Sequence, residues 1–173
     1  QNRERVFLVS IKKELDTGYT FPEPVELKLK AIDLINKEDE NVYWVNEESD
    51  AKVYEWLLSK NPNKIEGVAK NPRTREYHGF KEISDCLLAH DAQTKNLVQF
   101  VNKDGETVYR RMTPAESFKF MGFEEKDYLK AKKKLEEKHY NGKPRSDSQT
   151  YRMAGNSIAV NCIQAILENI YLK

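Results

Sequence analysis

Three stretches of this 173-residue chain carry side chains whose type and spacing could do chemistry. Arg3 and Arg5 stand one residue apart, directly ahead of the apolar run Val6-Phe7-Leu8-Val9-Ser10-Ile11. Side chains alternate along an extended chain, so the two arginines point the same way and can fork onto a phosphate or a base edge. The plainer explanation is a pair of surface charges flanking a core strand. Between Gly67 and Gly79, Lys70, Arg73 and Arg75 mix with Asn71 and Thr74 on a turn-rich segment, a donor set suited to phosphates and base edges. Near the end, a polar segment beginning at Ser148 runs into Gly155-Asn156-Ser157. Ile158, Cys162, Ile163, Ile166, Leu167 and Ile170 then follow at helical spacing. Asn156 or Ser157 can cap that helix, and a helix start with free N–H groups can also hold a polar ligand. A capped helix without a ligand is the ordinary explanation.

The elements that must position these residues are legible in part. Val6–Ile11 reads apolar on both faces and predicts a buried strand. Phe21-Pro22-Glu23-Pro24 breaks the chain, and residues 27–36 suit a short helix. Tyr43, Trp44, Tyr54 and Trp56 suggest a small aromatic cluster, because tryptophan is costly to expose. Residues 97–101 and 107–110 predict a hairpin around Asp104-Gly105. Thr113-Pro114-Ala115-Glu116 is a capping box with proline at the first helical position, and Gly122 stops that helix after two turns. Residues 124–140 predict a charged helix with Tyr128, Leu129 and Leu135 on its thin apolar side, stopped at Gly142-Lys143-Pro144. Gln1 rather than methionine opens the chain, and a portion of something longer is expected.

Composition sets the class. Hydrophobic content of 39% and charged content of 33% describe a globular protein, and the length allows one core, or one core with a small appended lobe. No run approaches the roughly 18 apolar residues of a membrane span, and no signal peptide appears. Two cysteines, Cys86 and Cys162, make no disulfide framework, so a cytoplasmic location without membrane is expected. Net charge is +1, but residues 37–55 hold seven acids against two bases and residues 60–81 six bases against two acids. Such a basic stretch is more often a solvated face than a nucleic-acid footprint.

Gln149-Thr150-Tyr151-Arg152-Met153-Ala154-Gly155-Asn156-Ser157, taken with Gln1-Asn2-Arg3-Glu4-Arg5 and Arg110-Arg111-Met112-Thr113-Pro114-Ala115-Glu116…Met121-Gly122-Phe123, resembles the last three signatures of the DNA cytosine-5 methyltransferases, in family order. The resemblance implies an α/β protein: the C-terminal portion of a Rossmann-like methyltransferase fold with a small mixed α+β target-recognition lobe. Residues 1–16 would be a strand of the catalytic domain, 17–109 the target-recognition region, and 110–173 helices returning to the catalytic domain and cofactor pocket. It further implies that Arg3 and Arg5 contact the target base and backbone, and that Asn156 and Ser157 line the pocket for S-adenosyl-L-methionine. Cys86-Leu87 takes the place of the Thr-Leu pair that ends family recognition regions, the threonine being replaced. By position, Lys70, Asn71, Arg73, Arg75, His90, Gln93 and Lys95 would then join Cys86 and Leu87 in reading DNA.

The family's nucleophile sits in a Pro-Cys dipeptide, and neither cysteine here follows proline; nor does any Gly-x-Gly turn occur for the cofactor. No histidine or cysteine falls at zinc-ligand spacing. The implied function is the C-terminal part of a DNA (cytosine-5-)-methyltransferase of bacterial restriction–modification type. It reads double-stranded DNA and helps position S-adenosylmethionine and a flipped cytosine. Its partner is an N-terminal catalytic half, on the same protein or a separate subunit. The chain alone is expected to be inactive. Two alternatives stay open: a non-catalytic sequence-specific DNA-binding module, and a tRNA cytosine-5 methyltransferase relative. The insertion at 124–145 gets no role.

Overall fold

The Thr113-Pro114 helix start is realised in the computed structural model, which describes residues 5–26, 28–39, 48, 52, 55, 59, 67–69, 79–80, 86–87, 97–139 and 147–172. Helix α1 is Pro114–Phe120. Thr113 Oγ1 accepts from the Glu116 N–H at 3.2 Å, and Glu116 Oε2 accepts from the Thr113 N–H at 2.7 Å. Two otherwise orphaned donors are thus satisfied reciprocally. At the other end Gly122 has φ +85°; its N–H donates to the Lys119 carbonyl at 2.9 Å, and the Phe123 N–H to the Phe118 carbonyl at 3.1 Å. This double closure is a Schellman cap, sealed by the Phe118 and Phe123 rings 5.5 Å apart.

Ahead of α1 lies an antiparallel four-stranded sheet of order β2-β1-β3-β4, formed by β1 (Gly67–Ala69), β2 (Gly79–Phe80), β3 (Leu97–Val101) and β4 (Thr107–Arg111). The β3–β4 turn follows the Asp104-Gly105 signal. Gly105 takes φ +80°, and Asn102 Oδ1 accepts from the N–H groups of Asp104 and Glu106 at 3.0 and 2.8 Å. Val98 pairs with Arg110 and Phe100 with Val108, so these four share the sheet's inner face. Val98 and Phe100 are fully buried there.

Arg110 is equally buried, and it is paired in full. Its Nη1 and Nη2 donate to the Glu116 carboxylate at 2.9 and 2.7 Å, Nη1 also to the Arg111 carbonyl at 2.9 Å, Nη2 to the Asn36 carbonyl at 3.0 Å, and Nε to the Asp39 carbonyl at 2.7 Å. Glu116 Oε1 accepts a further bond from the Asn36 N–H at 2.8 Å. The guanidinium also lies 5.4 Å from the Phe100 ring centroid. The chain before the sheet is pinned by this group. Its short 3-10 turn at Ala31–Leu34 contributes Ala31 and Ile32 to the same core as Leu87, Val98, Phe100, Phe118, Met121 and Ala154. Sheet lobe and helices therefore share one core.

Three helices complete the described fold: α2 (Glu125–His139), α3 (Ser148–Asn156) and α4 (Val160–Tyr171). Helices α2 and α3 pack against α1. Tyr128 of α2 is buried against Phe118, ring centroids 5.5 Å apart. The Val160 N–H donates to the Met121 carbonyl at 2.9 Å, which brings the start of α4 onto the end of α1. No helix is long and apolar enough to cross a membrane, among the described residues.

Several expectations are corrected. Val6–Ile11 is not a strand: none of it joins the sheet, and Val6 and Leu8 are 89% and 92% exposed, because β1–β4 pair only with one another. Among the described residues 28–36 the helical part is the 3-10 turn Ala31–Leu34, not a helix of the expected length. The polar segment from Ser148 is itself helical, and Asn156 and Ser157 end α3 rather than cap α4. Ser157 is the C-cap of α3, its Oγ donating to the Ala154 carbonyl at 2.6 Å; Ala159 precedes α4 and has no side chain able to cap it. Of the apolar positions along α4 only Ile166 is buried, and Cys162 is exposed, not a buried hydrophobe. Leu129 is exposed too. Phe123, Ile158, Val160, Ile163 and Leu167 instead border a shallow apolar groove of about 450 Å³. The aromatic cluster around Trp44 and Trp56 and the stop at residues 142–144 lie outside the described residues.

Replacing Gly122 by alanine forces a side chain into left-handed backbone and sets its Cβ 2.8 Å from Asn161 Oδ1. A loss of about 2 kcal/mol in urea unfolding is expected. Glu116→Ala leaves the buried Arg110 charge without its partner, and the same measurement should show a loss of about 3–5 kcal/mol.

Candidate functional site

Helix α3 has two unlike faces. Thr150, Ala154 and Gly155 are buried. Gln149, Arg152, Met153 and Asn156 recur at i, i+3, i+4 and i+7, which places them on one opposite stripe. That stripe forms one wall of a solvent-open cleft of about 590 Å³. Phe118 and Phe123 from the end of α1 and Asp127 and Ala131 from α2 form the rest, with Ser157 at the rim.

The wall is held from behind. Tyr151, next to the stripe, donates its hydroxyl proton to the Met112 carbonyl at 2.5 Å, tying α3 to the link between β4 and α1. Burial pushes the Tyr151 phenol well above its ordinary range, and the nearby negative charge of Asp147 adds to that. Burial likewise raises Tyr128. Lys132 bridges α2 and the start of α3, lying 3.7 Å from Asp147 Oδ1. On the α2 side, Asp127 Oδ2 accepts from the Glu124 N–H at 3.1 Å and so caps its own helix.

The polar groups facing the cleft are available. The side chains of Asn156 and Arg152 are exposed and make no hydrogen bond or ion pair among the described residues. The Ser157 hydroxyl donates to the Ala154 carbonyl at 2.6 Å. The arrangement offers two aromatic rings, a thioether, an amide pair, a guanidinium and a carboxylate around one hollow. This is chemistry for holding a ligand that is part flat and apolar, part charged. No cluster of metal-ligating side chains occurs among the described residues.

Of the site residues expected from sequence, the structure brings Asn156 and Ser157 to this cleft. Arg5 is exposed in the irregular N-terminal segment, and Arg3 lies outside the described residues. Cys86 is half-buried, with Sγ 3.6 Å from the Leu87 carbonyl, while the Leu87 side chain belongs to the core. Lys70, Asn71, Arg73, Arg75, His90, Gln93 and Lys95 lie outside the described residues. Sequence reasoning missed Gln149, Arg152 and Met153. Their spacing with Asn156 would have found them, had the segment been read as a helix rather than a polar lead-in.

Tyr151 gives a pH test. Its folded pKa is raised above the ordinary value of 10.0, so its contribution is full below about pH 10 and is lost as pH rises further. Urea unfolding at pH 8 and pH 11 should show a steeper alkaline loss in the wild type than in Tyr151→Phe.

A model of the C-5 cytosine-specific DNA methylase family matches residues 1–172. The chain is 27% identical over 177 residues to type II methyltransferase M2.ScrFI of Lactococcus lactis subsp. cremoris, covering 99% of this chain and 41% of that protein. It is 29% identical over 181 residues to type II methyltransferase M.SsoII of Shigella sonnei, covering 98% of this chain and 40% of that protein. With type II methyltransferase M.Bsp6I of Bacillus sp. (strain RFL6) the identity is 28% over 190 residues, 99% of this chain and 50% of that protein. The chain thus spans half or less of the length of each of these relatives. No solved structure matches it. A family match running over nearly every residue of a mixed α+β chain settles the membership: this chain belongs to the C-5 cytosine-specific DNA methylase family.

Proposed function

We propose that this chain is the C-terminal part of a DNA (cytosine-5-)-methyltransferase of restriction–modification type, acting in the cytoplasm on double-stranded DNA. The observation that carries this reading is the meeting of Asn156 and Ser157 with the cleft. The segment that family resemblance gives to the methyl donor forms the polar wall of a hollow of about 590 Å³, faced by Phe118 and Phe123. Those residues fit S-adenosylmethionine in kind: rings for its flat adenine, amide and hydroxyl for its polar end. When bound, the donor supplies the methyl group. The chain's own residues hold and orient it, Asn156 through its side-chain amide, with Ser157 beside it in the lining.

In this reading the C-terminal piece follows a Rossmann-like core, and residues 5–16 and the apolar groove along α4 dock against it. The nucleophilic cysteine comes from that core, since Cys162 is exposed on α4 and Cys86 follows no proline. Arg3 and Arg5 approach the flipped cytosine and the adjoining backbone. Lys70, Asn71, Arg73, Arg75, Cys86, Leu87, His90, Gln93 and Lys95 form the surface that reads the duplex. Contacts from lysine and arginine to phosphates give affinity and salt dependence, and contacts to base edges give sequence choice.

The test has two arms. Incubated with duplex DNA and radiolabelled S-adenosylmethionine, the 173-residue chain alone should transfer no methyl group; completed with a nucleophile-bearing N-terminal half, it should methylate cytosine at C5. In fluorescence anisotropy, replacing Arg73 and Arg75 by alanine should weaken specific duplex binding about ten-fold or more. Methylation by the chain alone, or a preference for a tRNA stem over duplex DNA, would overturn the reading.

A further inference from the structure

The wall of the cleft on α3 extends two turns beyond the residues that family resemblance assigns to it. Asn156 stands at its C-terminal end, Arg152 one turn earlier and Gln149 earlier still, all on the stripe that faces the hollow. Among the lining residues Arg152 carries the one positive charge and Asp127, on the facing α2 wall, the one negative charge. Neither is spent on the other. Arg152 has no ion pair among the described residues, and Asp127 is fixed by its bond from the Glu124 N–H at 3.1 Å, which leaves its second oxygen open. A guanidinium presents a planar fork of donors that matches a carboxylate. A simple polyanion would meet Asp127 unfavourably, whereas a zwitterion is served at both of its charges.

We propose that Arg152 is the carboxylate anchor of this cleft, holding the amino-acid end of S-adenosylmethionine while Asp127 attracts its ammonium group. This rests on the cofactor reading above and adds to it a binding residue and an orientation: the amino-acid end lies along α3, and the flat end goes to Phe118 and Phe123. Arg152 is a binding residue here, with no part in the bonds that change.

NMR titration of the 173-residue chain completed with its nucleophile-bearing N-terminal half tests it, with S-adenosylhomocysteine and 5′-methylthioadenosine as probes, because the second lacks the amino-acid portion. S-adenosylhomocysteine should shift both the Arg152 side-chain Nε–H signal and the Asn156 side-chain amide. Arg152→Ala should weaken S-adenosylhomocysteine at least ten-fold, down to the affinity of 5′-methylthioadenosine, and leave the latter's affinity where it was. Arg152→Lys, which keeps the charge and loses the fork, should fall between. The anchor is overturned if Arg152→Ala binds S-adenosylhomocysteine as the wild type does, or loses both ligands equally. Shifts at Asn156 with Arg152 indifferent sink the anchor alone. If neither probe moves any cleft signal of the wild type, the cofactor reading falls and the anchor goes with it.

Discussion

The Arg110–Glu116 pair is the constraint on which the rest of the described fold depends. Two opposite charges withdrawn from water repay their desolvation only when every donor and lone pair finds a partner. Here all five guanidinium donors are used, and each carboxylate oxygen accepts two bonds. The partners come from three separate places: strand β4, the start of α1, and the backbone at Asn36 and Asp39. A hydrophobic substitute could fill the volume but could not dictate those three addresses. The pair therefore fixes how the segment ahead of the sheet sits against the helices, and α1 inherits a defined start.

From that start the geometry passes outward by short steps. The capping box sets the first turn of α1, Gly122 sets its end, and the Met121 carbonyl receives the first N–H of α4. Tyr151 then hangs α3 from the Met112 carbonyl, just before the capping Thr113. Both sides of the cleft are thus referenced to one seven-residue helix. One wall is hydrogen-bonded at Met112, two residues from Arg110, and the other packs on α1 through the Tyr128 and Phe118 rings.

How much of this was legible in the sequence varied by element. The hairpin, the capping box and the glycine stop were readable because each depends on local chemistry: Asp104-Gly105, Thr113-Pro114 with Glu116, and Gly122. The strand at Val6–Ile11 was not, because an apolar run states that burial is wanted and does not say what supplies it. The same holds for α4, whose helical spacing was right while Cys162, Ile158 and Leu167 face outward. At the cleft, Asn156 and Ser157 were found through family resemblance, not periodicity. Gln149 and Arg152 were hidden because a run of Ser, Gln, Thr and Arg looks like loop until its four-residue recurrence is counted. Arg110 stood out only as the first residue of the Arg-x-Met-Thr-Pro-x-Glu resemblance; its burial and its pairing with Glu116 were not legible, because an arginine beside another arginine at the end of a strand reads as surface.

Phe123 borders two hollows at once, the polar cleft on one side and the apolar groove along α4 on the other. Its backbone cannot move far, since the N–H is held by Phe118 in the cap that ends α1. Its ring, packed 5.5 Å from that of Phe118, is the wall that the two hollows have in common. The two concavities therefore share a single partition. A surface laid along α4 and a ligand held between α1 and α3 would touch opposite sides of one side chain.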